Sequence, residues 1–197
     1  MCKGEKMKNI KHCLMLAISI GLITSNVWAG PLPGDSLYQV GSKWLTQDGT
    51  EMELKDLRGK PTILSMVYLS CKYICPAVIS EVQSIEKDLG KSKSDVQIVL
   101  LSFDPERDTT EVLKSYATDR KLDLLRWKLI TNKNESKIRE VAVATNFKYM
   151  KDEKGEFTHS YMILLLDQEG VIKSRLEGAN LDHQPMIEVI KELLKKK

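Results

Sequence analysis

Thr62-Ile63-Leu64-Ser65-Met66-Val67-Tyr68 runs through Leu69-Ser70 into Cys71-Lys72-Tyr73-Ile74-Cys75-Pro76, and the reading of this stretch decides the fold. The first half is a nearly continuous run of apolar β-formers, the pattern of a strand buried on both faces. The second half changes period. Pro76 suits the first turn of a helix, where its missing N–H costs nothing. Ala77, Val78, Val82, Ile85 and Leu89 then recur at helical spacing, and Gly90 closes the helix. Two cysteines therefore sit where a buried strand passes into a helix.

On either side the same alternation continues. Upstream, residues 43–54 read as a hairpin around Gln47-Asp48-Gly49-Thr50, with Asp-Gly as the turn signal. Downstream, residues 96–103 (VQIVLLSF) form a second buried strand, broken by Asp104-Pro105. Asp108 or Thr109 can cap a helix reaching about Ala117. Residues 127–131 read as a strand, 136–144 as a helix and 160–166 (SYMILLL) as a strand. Asp167-Gln168-Glu169-Gly170 turns into a hairpin partner over 171–176, and residues 185–194 form a terminal amphipathic helix. Its lysine-rich end complements the negative pole of the helix dipole. There is no internal repeat and no second linker. The expectation is one α/β domain of thioredoxin-like fold, with an N-terminal β-hairpin and a central mixed sheet flanked by helices.

The chain has 197 residues, 42% hydrophobic and 29% charged, with a formal charge of +3. Four lysines and one acid fall in residues 1–29, so the remainder carries 26 basic and 26 acidic residues. A neutral remainder argues against a general nucleic-acid binder, which needs a basic face. Residues 1–12 are polar and lysine-bearing, and Met7 can serve equally as the start. Residues 13–24 (CLMLAISIGLIT) are mostly apolar, and Val27-Trp28-Ala29 fits a small-x-small cleavage site. A helix over that apolar run spans roughly 18 Å, short of the ~30 Å bilayer core. The layout is that of a cleaved secretory signal peptide over 1–29, leaving residues 30–197 as a single exported domain.

Export changes the cysteine arithmetic. Cys2, Cys13 and His12 leave with the signal, and Cys71, Cys75, His159 and His183 remain. In an oxidising compartment such a pair is a structural disulfide, a redox couple or a metal site. Four residues apart at the start of a helix, the two thiols can meet in space. The helix N-terminus favours the thiolate, above all at Cys75, and thiolates are the soft ligands that select Cu(I). A structural bridge here closes a very small loop and removes little unfolded-state entropy. A metal needs a third ligand, and His159 stands just before the strand over 160–166. In a thioredoxin-like sheet that approach lies beside the cysteine turn. Thioredoxins place a cis-proline there, whereas this chain has no proline between Pro105 and Pro185. His183, in the polar segment 180–185, reads as exposed and not as a ligand.

These residues resemble the SCO/SenC family of copper-binding cytochrome c oxidase assembly proteins. The elements that carry the resemblance are Leu57-Arg58-Gly59-Lys60-Pro61, Cys71-x-x-x-Cys75-Pro76, Ser102-x-Asp104-Pro105-Glu106-Arg107-Asp108-Thr109, and Thr158-His159-Ser160 followed by Asp167-Gln168-Glu169-Gly170. The resemblance covers roughly residues 34–177. It implies a thioredoxin-like fold and copper, as Cu(I) or Cu(II), held by Cys71, Cys75 and His159. It also implies a partner, subunit II of cytochrome c oxidase, whose Cu(A) site receives copper or has its cysteines reduced. The expected location is the periplasm if the source is bacterial, close to a membrane through that partner. Two features depart from the pattern. Many members carry Asp where this chain has Thr158, and many are membrane-anchored. The segment 104–109 reads equally as functional or as a turn, an ion pair and a helix cap. The competing function is a thiol–disulfide oxidoreductase using Cys71 and Cys75 without a required metal; a thiol peroxidase on the same fold is a third.

Overall fold

The computed structural model describes residues 30–71, 74–178 and 182–195, without the side chains of Ile74 and Cys75. The segment expected to be a signal peptide lies outside the described residues. Nine strands and four α-helices are found among the described residues. A hairpin of β1 (Trp44–Thr46) and β2 (Glu51–Met52) is followed by β3 (Thr62–Val67), α1 (Ile74–Leu89) and β4 (Gln97–Ser102). Then come α2 (Thr110–Asp119), β5 (Trp127–Thr131) and α3 (Glu135–Thr145). The chain continues through β6 (Tyr149–Lys151), β7 (Phe157–His159), β8 (Met162–Leu166), β9 (Ile172–Glu177) and α4 (Gln184–Lys195).

The main sheet has the order β2-β1-β5-β4-β3-β8-β9. β3, β4 and β5 are parallel, while β8 runs antiparallel to β3 and β9 antiparallel to β8. Every residue of β3 and of β8 is buried, as their uninterrupted apolar runs require in the middle of a covered sheet. The β3–α1–β4 and β4–α2–β5 connections step the same way across the sheet, so right-handed crossover puts both helices on one face. The other face is marked by β3 itself: Thr62 meets the Tyr38 hydroxyl at 2.9 Å, and Met66 meets Thr145 of α3 at 4.0 Å.

The leading segment is pinned rather than trailing. Leu37 donates its N–H to the Gly170 carbonyl, and Tyr38 lies buried over Gly170. Gly170 has φ +83°, and a Cβ there would stand 2.5 Å from the Tyr38 ring. Only glycine gives both that backbone and that contact. The hairpin after β8 thus serves as the seat of the N-terminal segment.

Several expectations are adjusted. The helix after Asp104-Pro105 is capped by the Thr109 side chain, which accepts from the Val112 N–H, while Asp108 turns inward. β8 begins at Met162, two residues later than expected, because the chain first makes an unforeseen hairpin. Its strands β6 and β7 pair separately from the main sheet, with Tyr149 opposite His159 and Lys151 opposite Phe157. His183 is not the exposed residue the sequence implied. It is held between Glu81 Oε1 at 2.6 Å and Asp88 Oδ2 at 2.9 Å, both on α1.

Candidate metal centre

Cys71 follows β3 by a short turn in which its N–H bonds the Tyr68 carbonyl. α1 opens three residues later, with Cys75 as its second residue. The Cys75 side chain lies outside the described part of the structure. His159 ends β7 and comes from the far side of the sequence. Its Nε2 stands 4.0 Å from Cys71 Sγ, while its Nδ1 lies 2.8 Å from the Ser160 carbonyl oxygen. A carbonyl can only accept, so Nδ1 carries the proton and Nε2 turns its lone pair toward the thiol. Bonds of about 2.3 Å to sulfur and about 2.0 Å to nitrogen, as first-row metals make, together span this gap.

The imidazole is fixed by rings. Phe147 stacks on it at 5.9 Å between centroids and 28° between planes, and Tyr68 meets it edge-on at 5.5 Å. Phe103, from the end of β4, lies 5.3 Å away. Such contacts fill the space around the ring and leave it few alternative orientations. Tyr68 also touches the thiol. Burial, then the neighbouring Cys71 sulfur, push its hydroxyl up to about 12, so it remains a protonated donor at neutral pH.

The segment 104–109, undecided from sequence, lies directly behind this pair. The Asp108 carboxylate is fully buried and accepts from the Leu69 N–H at 3.1 Å and the Ser102 hydroxyl at 2.5 Å. It thereby fixes the backbone two residues before Cys71. Asp104, also buried, pairs with Arg107. Asp104 is therefore committed to an arginine. Thr158, where the family resemblance leads us to expect Asp, pairs with Met150 and is exposed. Alternation along the strand puts it on the hairpin face opposite to His159.

A buried mixed sheet, a thiol at the strand-to-helix junction and an imidazole brought beside it define a thioredoxin-like protein with a candidate thiolate–imidazole centre. The chain belongs to the SCO1/SenC family, whose model matches residues 38–195. The SCO1 protein homolog of Bacillus subtilis is 26% identical over 149 residues, covering 75% of this chain and 76% of that protein. The crystal structure of Arabidopsis thaliana ScoI with copper bound superposes with a TM-score of 0.67 at 25% identity, covering 80% of this chain and 99% of the other. BsSco, described as a member of the Sco family of cytochrome c oxidase assembly proteins with a disulfide switch, gives a TM-score of 0.68 at 25% identity. That match covers 79% of this chain and 92% of BsSco.

The sequence pointed to Cys71, Cys75 and His159; the structure brings Cys71 and His159 together, while the surroundings of the imidazole were missed. The signal was present. Phe147, Tyr149, Phe157 and His159 alternate with polar residues on either side of Asp152-Glu153-Lys154-Gly155, which is the pattern of a hairpin.

Proposed function

We propose that this chain is an exported copper-binding protein in which Cys71, Cys75 and His159 hold copper and pass it to the Cu(A) site of cytochrome c oxidase subunit II. The observation that carries the reading is the 4.0 Å approach of Cys71 Sγ and His159 Nε2 across 88 residues of sequence. Thiolate and imidazole are donors that suit copper, the thiolate favouring Cu(I) and the imidazole able to serve Cu(II). The copper-bound Arabidopsis relative and the oxidase-assembly description of BsSco support the same reading. Copper is cargo here, so its ligands must release it. Both Cys71 and His159 are half-buried, within reach of competing ligands on a recipient. Export rests on the lysine-apolar-small layout of residues 1–29, and the product is a single domain over 30–197. In a bacterium that domain belongs in the periplasm, near the membrane that holds its recipient.

A second reading is favoured by the disulfide switch of BsSco. One cysteine thiolate attacks a disulfide of the partner, forming a mixed disulfide and expelling one partner thiolate. The other cysteine then attacks that bond. The pair leaves as a disulfide, and two electrons reside on the partner's two thiols. His159→Ala separates the readings. Copper handling predicts that Cu(II) binding to the reduced protein collapses while disulfide exchange continues. Copper affinity and spectra that survive the change would overturn the ligand assignment.

A further inference from the structure

Arg107 occupies a position that neither the metal donors nor the turn chemistry of its segment requires. Its guanidinium carbon lies 5.5 Å from the centroid of the Tyr68 ring and 5.5 Å from that of Phe157. Tyr68 is the first residue past β3 and touches the Cys71 thiol. Phe157 is two residues before His159 and so on the same hairpin face. The two rings meet each other edge-on at 5.2 Å. One arginine therefore faces a ring from each half of the candidate centre. It also reaches Glu156, the residue before Phe157, at 3.6 Å through Nη1. Glu156 in turn accepts from the Tyr68 hydroxyl at 3.4 Å.

We propose that Arg107 is a positioning residue that clamps the His159 hairpin against the Cys71 loop, and so sets the distance between the two donors. The proposal rests on the copper reading only for what the donors hold; the clamp itself concerns the protein alone. β6 and β7 pair with each other and not with the main sheet, so backbone hydrogen bonds of that sheet do not hold the hairpin in place. Side chains must do so, and Arg107 is suited to it. A planar, weakly hydrated guanidinium can lie against aromatic faces while its edge pairs with carboxylates, which a lysine ammonium cannot do at once. Its base is fixed: the N–H groups of Arg107 and Asp108 both bond the Asp104 carbonyl, and Asp104 supplies the buried counter-charge.

Arg107→Lys keeps a cation for Asp104 and loses the planar contact. A double variant, Asp104→Asn with Arg107→Met, removes both charges and leaves neither orphaned. Two quantities are measured: amide hydrogen exchange of the reduced, copper-free protein, and the Cu(II) dissociation constant. The clamp predicts exchange about five- to tenfold faster over 149–159 in both variants, with β3, β4 and β8 unchanged, and Cu(II) binding weakened to a similar degree. Unchanged hairpin exchange in both variants overturns it. A wild-type protein that ignores copper while Arg107→Lys still loosens the hairpin sinks the copper reading and upholds the clamp. Wild-type copper binding that depends on His159 but not on Arg107, with an unmoved hairpin, sinks the clamp alone.

Discussion

Asp108 shows what one buried carboxylate does for the centre. It grips the Leu69 N–H and the Ser102 hydroxyl, so Asp108→Ala leaves both without their acceptor. An unsatisfied buried donor costs about 1–3 kcal/mol, and a drop of that size in urea unfolding is expected. Burial pushes the Asp108 carboxyl up from 3.8 to about 6, over the opposing pull of its hydrogen bonds. The folded chain therefore holds this proton more tightly than the unfolded chain. The resulting stability is complete below pH 3.8 and is lost as pH rises through about 6. Asp108→Asn has no such proton. The difference in urea midpoint between wild type and Asp108→Asn should change across that window and stay flat above it. None of this was legible in Asp104-Pro105-Glu106-Arg107-Asp108-Thr109 read alone. Either Asp108 or Thr109 could cap a helix, and only the position of Leu69 decides which residue turns inward.

At the scale of elements, the informative pieces are the two that the sequence described least well. The β6–β7 hairpin is short, and Tyr149, Phe157 and His159 within it, with Phe147 just before it, carry the signal only by alternation. Strands of three residues leave little periodicity to read. His183 joins the start of α4 to α1 through Glu81 and Asp88, whose partnership is invisible from positions 81, 88 and 183 of the chain. The Asp88 hydrogen bond, followed by Glu81, raises the His183 pKa above its ordinary 6.5. The folded state thus favours the imidazolium. Its stabilisation is complete below pH 6.5 and fades as pH climbs through the higher folded value. His183→Gln should unfold more easily than wild type at pH 6 and converge on it at alkaline pH, in urea titrations followed by circular dichroism. Equal midpoints at both pH values would show that the ion pairs contribute nothing net. Gln184 also faces Asp88, at 3.2 Å, and remains as a neutral contact in that variant.

For the whole molecule, a ligand that binds only the folded chain stabilises it by mass action. At free copper a hundredfold above the dissociation constant, the gain is about 2.7 kcal/mol. Copper should therefore raise the Tm of the reduced protein, a chelator should return it, and His159→Ala should abolish the shift. An unchanged Tm in the wild type would contradict a site that exists only in the folded state. The order of buried strands and amphipathic helices was determined by the sequence alone, because burial on two faces or one writes its period directly into the residues. The same holds for the strand-to-helix placement of Cys71 and Cys75, since the spacing is local. What only tertiary structure decided is the meeting of distant groups: His159 with Cys71, Arg107 with Tyr68 and Phe157, His183 with α1. Those contacts depend on how far strands are staggered and on how the β6–β7 hairpin lies over the ends of β3 and β4. Such distances are set by packing across the whole core, and no local pattern records them.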